Sequence, residues 1–189
     1  MKPRVAINGF GRIGRILMRC NFERNLVDIV AINDPSPKET LAFLLKHDSV
    51  YGTLSQEISF DDNHLIIDGQ KILVTHERDP GVLPWKANTI DVVAECTGVF
   101  TAREGAGKHI AAGSRKVVIS APAQDPDVSI VLGVNDSMYD STKHSIVSNV
   151  SCTTNSLAPV VDVLNKEFGI ENGLMTTIHS YTNDQSIVD

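Results

Sequence analysis

The chain has 189 residues, 42% hydrophobic and 21% charged, and carries a net charge of −6 (17 − 23). It is long enough for one full domain with a buried core, and it has no basic run to suit nucleic acid or an acidic membrane surface. No apolar stretch approaches the roughly 18 residues of a membrane helix, the N-terminus lacks a signal-peptide core, and three cysteines suit the reducing cytoplasm better than a disulfide frame.

Arg4-Val5-Ala6-Ile7-Asn8 is a short apolar run bounded by glycine, the mark of a buried parallel strand. Gly9-Phe10-Gly11-Arg12-Ile13-Gly14 follows, then a predicted helix with Ile13, Ile16, Leu17 and Cys20 inward. A second strand spans 27–33 and ends at Asp34, 20 residues (34 − 14) beyond the last glycine. That spacing suits a dinucleotide site. Gly9 permits the tight turn, Gly11 lets backbone approach a pyrophosphate, and Gly14 lets helix and strand pack closely. The helix N-terminus offers free N–H groups to the phosphates. Asp34 can accept both adenosine ribose hydroxyls and repels a 2′-phosphate, which favours NAD over NADP.

Residues 38–46 read as a helix with Leu41, Leu44 and Leu45 inward. Short strands over 50–74, with turns at 61–63 and 68–69, suggest a small antiparallel insert. Residues 79–81 form a turn, and 91–96 a buried strand ending at Thr97-Gly98. A helix is expected over 103–112, with Glu104 and Lys108 paired at i,i+4 and Gly113 as its stop. Further strands are expected at 116–119, 128–133 and 144–150. Alternating strands and helices make the fold class α/β, a doubly wound, mostly parallel sheet. A boundary is expected near Val150. Beyond it lie a helix with Leu157, Val160, Val161, Leu164 and Phe168 at helical spacing, Pro159 as a kink, and a strand over 174–181 carrying His179.

Cys152 stands where a strand hands over to a helix. A helix N-terminus favours the thiolate, and His179, 27 residues on (179 − 152), is placed to form an ion pair with it if the fold brings the two together. Ser151, Thr153, Thr154 and Thr182 add hydroxyls suited to a phosphate or oxyanion. Cys20 and Cys96 read as inert packing. His47, His64, His76, His109 and His144 receive no role, and no Cys/His cluster has metal-ligand spacing.

These residues resemble the phosphorylating glyceraldehyde-3-phosphate dehydrogenase family. The likeness is carried by residues 6–15, 31–34, 95–100, 119–122, 151–155 and 179–185. It implies a Rossmann NAD-binding domain over 1–150 and the first helix and strand of an α+β catalytic domain over 151–189. By the same resemblance, Cys152 attacks the aldehyde, His179 acts as base, hydride passes to NAD, and inorganic phosphate releases an acyl phosphate. Arg12 and Ile13 are implied as backbone donors to the pyrophosphate, with Arg78, Thr97, Gly98, Phe100 and Ser120 lining the cofactor site. Ser151, Thr153 and Thr182 are implied as phosphate ligands, and a homotetramer as the assembly. The phosphate-holding arginines and the nicotinamide-orienting asparagine of the family have no counterpart in these 189 residues, so the chain is expected to be a truncated form that keeps NAD binding and loses efficient turnover. Erythrose-4-phosphate dehydrogenase, or an NAD-binding module without turnover, are the alternatives.

Overall fold

A computed structural model describes residues 1–180 and Thr182. In chain order the elements are β1 (Arg4–Asn8), α1 (Arg12–Arg24), β2 (Asp28–Asn33), α2 (Lys38–Lys46), β3 (His47–Asp48), β4 (Gly52–Thr53), β5 (Ile58–Phe60), β6 (His64–Ile67) and β7 (Gln70–Thr75). They continue with β8 (Val92–Glu95), α3 (Arg103–Ala111), β9 (Lys116–Ile119), β10 (Val128–Ser129), β11 (Ile146–Ser148) and α4 (Cys152–Phe168). Nine strands form one sheet in the order β10-β11-β9-β8-β1-β2-β7-β6-β5. All neighbours from β10 to β7 are parallel. The chain winds outward from β1 to β2 and β7 on one side, then crosses to β8, β9 and β11 on the other. The crevice between β1 and β8 is therefore the topological switch point, where ligands of such sheets bind.

Two apolar clusters cover the two faces. Val5 and Ile7 point to one face, with Met18 of α1 and Leu41 and Leu45 of α2. Ala6 points to the other, with Trp85, Ile90 and Ala106 of α3. A register shift opposite Val5/Ala6 pairs Ala6 with Ala31 and leaves Val30 over. This is why Ile29 and Ile32 share a face although they are three apart.

Several sequence expectations need correcting. On α1 the buried residues are Gly14, Arg15 and Met18, while Ile13 and Cys20 are exposed. The helix is rotated because Gly14 is its point of contact: a Cβ there would lie 2.2 Å from the Gly9 carbonyl oxygen. The antiparallel pairing expected over 50–74 is present in β5–β6–β7, but these strands extend the main sheet, because β7 pairs in parallel with β2; β3 and β4 form a small antiparallel pair of their own. Lys108 pairs with Asp79 at 3.1 Å, across to the neighbouring turn, and not with Glu104. The strand expected over 128–133 stops at Ser129, where Asn135 draws the chain into a turn by accepting the Val131 N–H at 2.7 Å.

Helix α4 runs unbroken past Pro159 to Gly169, whose φ of 72° ends it. It has no buried residue among those described; Val160 and Phe168 are more than half exposed, and Leu157, Val161 and Leu164 are each more than a third exposed. The strand expected over 174–181 is absent from its described part, 174–180, which has no ladder partner and leaves Leu174 and Ile178 fully exposed. Tyr181 lies outside the described residues. No helix among the described residues is long and apolar enough to cross a membrane.

Candidate active site

The parallel strands deliver most of the predicted site residues to one edge. The C-terminal ends of β1, β2, β7, β8, β9 and β11 carry Gly9, Asp34, Arg78, Thr97, Ser120 and Ser151–Cys152 in turn. Three sheet spacings, roughly 14 Å, separate the ends of β1 and β11.

The glycine turn is built as its spacing predicts. Gly9 has φ +89°, and a Cβ there would meet the Thr97 nitrogen at 2.7 Å. Gly14 is closed against Gly9, as above. Gly11 is the open one: no heavy atom of the described residues lies within 4 Å of a Cβ built on it. It caps α1, whose first turn has no acidic residue and whose cap makes no side-chain hydrogen bond. The leading N–H groups of a helix, those of Arg12 and Ile13 included, lack intrahelical partners. The edge thus presents unblocked donors beside an empty volume, which fits a pyrophosphate.

Around this turn, Asp34 accepts the Phe10 N–H at 2.8 Å on one carboxylate oxygen and the Ser36 N–H at 2.9 Å on the other. Each oxygen keeps a lone pair for a ribose hydroxyl. The Arg12 side chain turns to Asp48 at 2.6 Å and lies 5.9 Å above the Tyr51 ring. Backbone N–H groups of Tyr51 and Val50, with Arg12 beyond them, hold the Asp48 carboxyl below its ordinary range. Arg15 is buried and donates to the Phe10 carbonyl at 2.9 Å, so a guanidinium sits under the turn, its pKa lowered by desolvation and then by Arg12. Arg78 and Gly98 are exposed, and Ser120 is half-buried. Phe100 faces inward to α3: its ring meets His109 edge-on at 6.4 Å, and a Cβ on Gly105 would touch it at 3.2 Å.

At the β11 end, Ser148 donates to the Ala121 carbonyl at 2.9 Å, and the Asn149 N–H reaches the Ile119 carbonyl at 2.9 Å. Val150 then takes φ +50°, a conformation few β-branched residues adopt. This kink turns the chain into α4. Ser151 is the N-cap, its hydroxyl accepting the Thr154 N–H at 3.0 Å, so that oxygen is engaged in holding the helix. Cys152 opens the helix and is exposed.

The described structure brings Cys152 Sγ to 3.1 Å from His179 Nε2. His179 Nδ1 lies 2.5 Å from the Ser180 carbonyl, which can only accept. Nδ1 therefore carries hydrogen, and Nε2 is the nitrogen left to take the thiol proton. The thiol pKa is lowered, first by the His179 hydrogen bond and further by Thr153. The imidazole pKa is raised, first by the Ser180 carbonyl and then by Cys152. Cys96 contrasts with this: burial pushes its thiol up to about 12. Cys20 is exposed, which corrects the expectation that it packs inside. Thr182 is exposed, three residues past His179. A cleft of about 380 Å³ is lined by Ser151, Thr153, Thr154, Leu157, Val161 and Met175, without Cys152 or His179. The larger cavity, about 1180 Å³, lies at the opposite edge of the sheet among Met1–Arg4, Asp91 and Arg115 and holds none of these residues.

Sequence reading missed the polar cluster under this edge. Glu95, His109, Asn8 and Asn33 are buried and mutually hydrogen-bonded. The only sequence signal was a carboxylate ending an otherwise apolar strand, Val92-Val93-Ala94-Glu95.

Fold and site together define a dinucleotide-binding α/β domain with a thiol, Cys152, 3.1 Å from an imidazole where its sheet hands over to α4. The chain belongs to the glyceraldehyde-3-phosphate dehydrogenase family: the family model described as its NAD binding domain matches residues 3–103, and the model of its C-terminal domain matches 151–189. It is 52% identical to glyceraldehyde-3-phosphate dehydrogenase 1 of Bacillus cereus over 98% of this chain and 56% of that protein. The enzyme of Geobacillus stearothermophilus is also 52% identical, over 100% of this chain and 56% of its own length. That of Thermotoga maritima is 51% identical, over 98% and 56%. The chain therefore spans about half the length of the curated relatives it matches.

Proposed function

We propose that this chain is the cofactor-binding and nucleophile-bearing part of an NAD-dependent enzyme that converts glyceraldehyde 3-phosphate and inorganic phosphate to 1,3-bisphosphoglycerate. The observation that carries the chemical part is the 3.1 Å contact between Cys152 and His179 at the start of α4. NAD would be held by the Gly9–Gly14 turn, the α1 N-terminus and Asp34, with Thr97, Gly98 and Ser120 along the rest of the edge. When bound, the nicotinamide supplies the hydride acceptor.

The remaining roles fall to the chain's own groups. His179 Nε2 takes the proton from Cys152, the sulfur attacks the aldehyde carbon, and the imidazolium returns that proton to the carbonyl oxygen to give a thiohemiacetal. The same imidazole then accepts the hemiacetal hydroxyl proton as the carbon is oxidised to a thioester. The α4 N-terminus and the Thr153 hydroxyl face the charge that develops on oxygen. Ser151, Thr153 and Thr182 are the proposed phosphate ligands, although the Ser151 hydroxyl is shared with the helix cap.

The division at Val150 into a nucleotide domain over 1–150 and a catalytic segment over 151–189 belongs to the same reading. It is supported by the absence of buried residues on α4. Three unpaired cysteines support a cytoplasmic setting, and the uncovered apolar stripe of α4 supports assembly with further protein, as in a homotetramer. The test is calorimetric titration with NAD and NADP, followed by mixing with aldehyde phosphate and NAD. NAD binding with NADP excluded, and one equivalent of NADH per Cys152 before phosphate is added, is the expected result. Absence of heat with either nucleotide would refute the cofactor assignment.

A further inference from the structure

The buried cluster beneath the nucleotide edge takes no part in the chemistry above. Glu95 is 1% exposed, and His109 and Trp85 are 0% exposed. One carboxylate oxygen of Glu95 accepts the Thr97 N–H at 2.8 Å and the Thr97 hydroxyl. The other accepts from the Asn8 side-chain amide at 2.5 Å and faces His109 Nε2 at 2.9 Å. The Trp85 indole N–H reaches His109 Nδ1 at 2.9 Å. An indole nitrogen only donates, so Nδ1 is bare and Nε2 carries the hydrogen that Glu95 accepts.

The far end of the cluster is fixed in the same sense. The Glu77 N–H and the Thr75 hydroxyl each donate to Asn33 Oδ1 at 2.9 Å. The Asn33 amide nitrogen must then donate to Asn8 Oδ1, at 2.7 Å, which turns the Asn8 amide nitrogen toward Glu95. The Trp85 indole and the Glu77 N–H are donors that cannot be reversed, so the two chains of hydrogen bonds that start from them run toward one carboxylate, while Asn33 also donates to the Glu77 carbonyl at 2.9 Å. No member can flip without setting donor against donor, and Glu95 meets only donors, as an ionised carboxylate requires.

The cluster ties together the ends of β1, β2, β7 and β8, the strands that carry Gly9, Asp34, Arg78 and Thr97. Its last link is to the Thr97 turn, and a Cβ on Gly9 would lie 2.7 Å from the Thr97 nitrogen. The two turns touch, so the setting of one fixes the other. We propose that Glu95, anchored by His109 and Asn8, is a positioning residue that locks the Thr97–Gly98 turn against the glycine turn and thereby sets the shape of the nucleotide site. The cofactor part of this rests on the NAD reading above. The hold on the turn does not.

Glu95→Gln keeps the shape but places an NH2 among donors whichever way the amide is turned. Thr97 amide exchange should then accelerate about tenfold or more, while that of Val93 in the adjoining strand is unchanged. The NAD dissociation constant should rise about tenfold. His109→Gln, which retains a donor for Glu95 and an acceptor for Trp85, should restore most of what His109→Leu loses; this pair decides the matter if Glu95→Gln does not fold. Unchanged Thr97 exchange, or Val93 and Thr97 loosened alike, would overturn the proposal. So would an NAD dissociation constant left unchanged by Glu95→Gln in a protein whose Thr97 exchange has accelerated. If the unaltered protein binds no NAD, the functional reading fails, and the exchange measurement still decides whether Glu95 holds the turn.

Discussion

Gly11 and Gly14 sit three residues apart in one motif, yet alanine should act on them in opposite ways. At Gly14 the new Cβ would stand 2.2 Å from the Gly9 carbonyl oxygen and 3.0 Å from Ile7 Cγ2. The nearest neighbour is backbone, so no side chain can swing aside, and α1 must retreat by about 1 Å. Overpacking of this kind costs about 1–3 kcal/mol, and a rigid backbone contact belongs at the upper end. At roughly 2–4 °C per kcal/mol for a chain of this size, the melting temperature should fall by about 6–12 °C. At Gly11 the backbone φ is −71° and the Cβ enters open space. A smaller unfolded-state entropy favours alanine there, while its weaker capping opposes it, so stability should stay within about 1 kcal/mol. That Cβ nevertheless occupies the volume assigned to the pyrophosphate, and NAD affinity should drop at least about tenfold, or about 1.4 kcal/mol. Thermal unfolding and calorimetric NAD titration of both variants provide the assay. If Gly11→Ala melts as low as Gly14→Ala, or binds NAD as the unaltered chain does, the division of labour within the motif is wrong.

Other outcomes follow from single features of the structure. Burial alone would raise the Asp127 pKa, but Arg103 and the Ile146 and Ser145 N–H groups outweigh it and hold the carboxyl at about 2. Its contribution should be complete above about pH 4 and lost as pH falls toward 2; urea midpoints at pH 5 and pH 2.5 should differ less in Asp127→Asn. The outward stripe of α4 should drive concentration-dependent association, which Leu164→Glu should reduce in sedimentation velocity while changing stability by less than about 0.5 kcal/mol. Cys96, with its thiol pushed up to about 12, should remain unlabelled by iodoacetamide in the native protein and become reactive only in denaturant.

What could be read from the sequence was local. Short apolar runs marked β1, β2, β8 and β9, and the glycine spacing marked the turn, because strand burial and turn geometry are imposed within a few residues. The inward face of α1 was misread because its contact residue is Gly14, which has no side chain to register as hydrophobic, and the true core residue Met18 follows one turn later. The apolar residues over 174–180 suggested a strand, but a strand exists only beside a neighbour, and none is present there among the described residues. Cys152 and His179 were identifiable by type and by the helix start. Their contact spans 27 residues and needed the fold. The Glu95 cluster was out of reach for the same reason: the bonds that bring His109 and Asn8 to Glu95 span 14 and 87 residues, and no local pattern encodes them.

The pH profile of Cys152 alkylation, in the unaltered protein and in His179→Ala, addresses the central pairing most directly. The contact lowers the thiol and raises the imidazole, so each group favours the charged form of the other, and thiolate appears as pH rises through the thiol's lowered pKa. Cys152 should therefore react well below the pH at which a free thiol does, about 8.5, and removal of the imidazole should move the profile up toward that value. Superimposed profiles for the two proteins would contradict the pairing and with it the proposed chemistry.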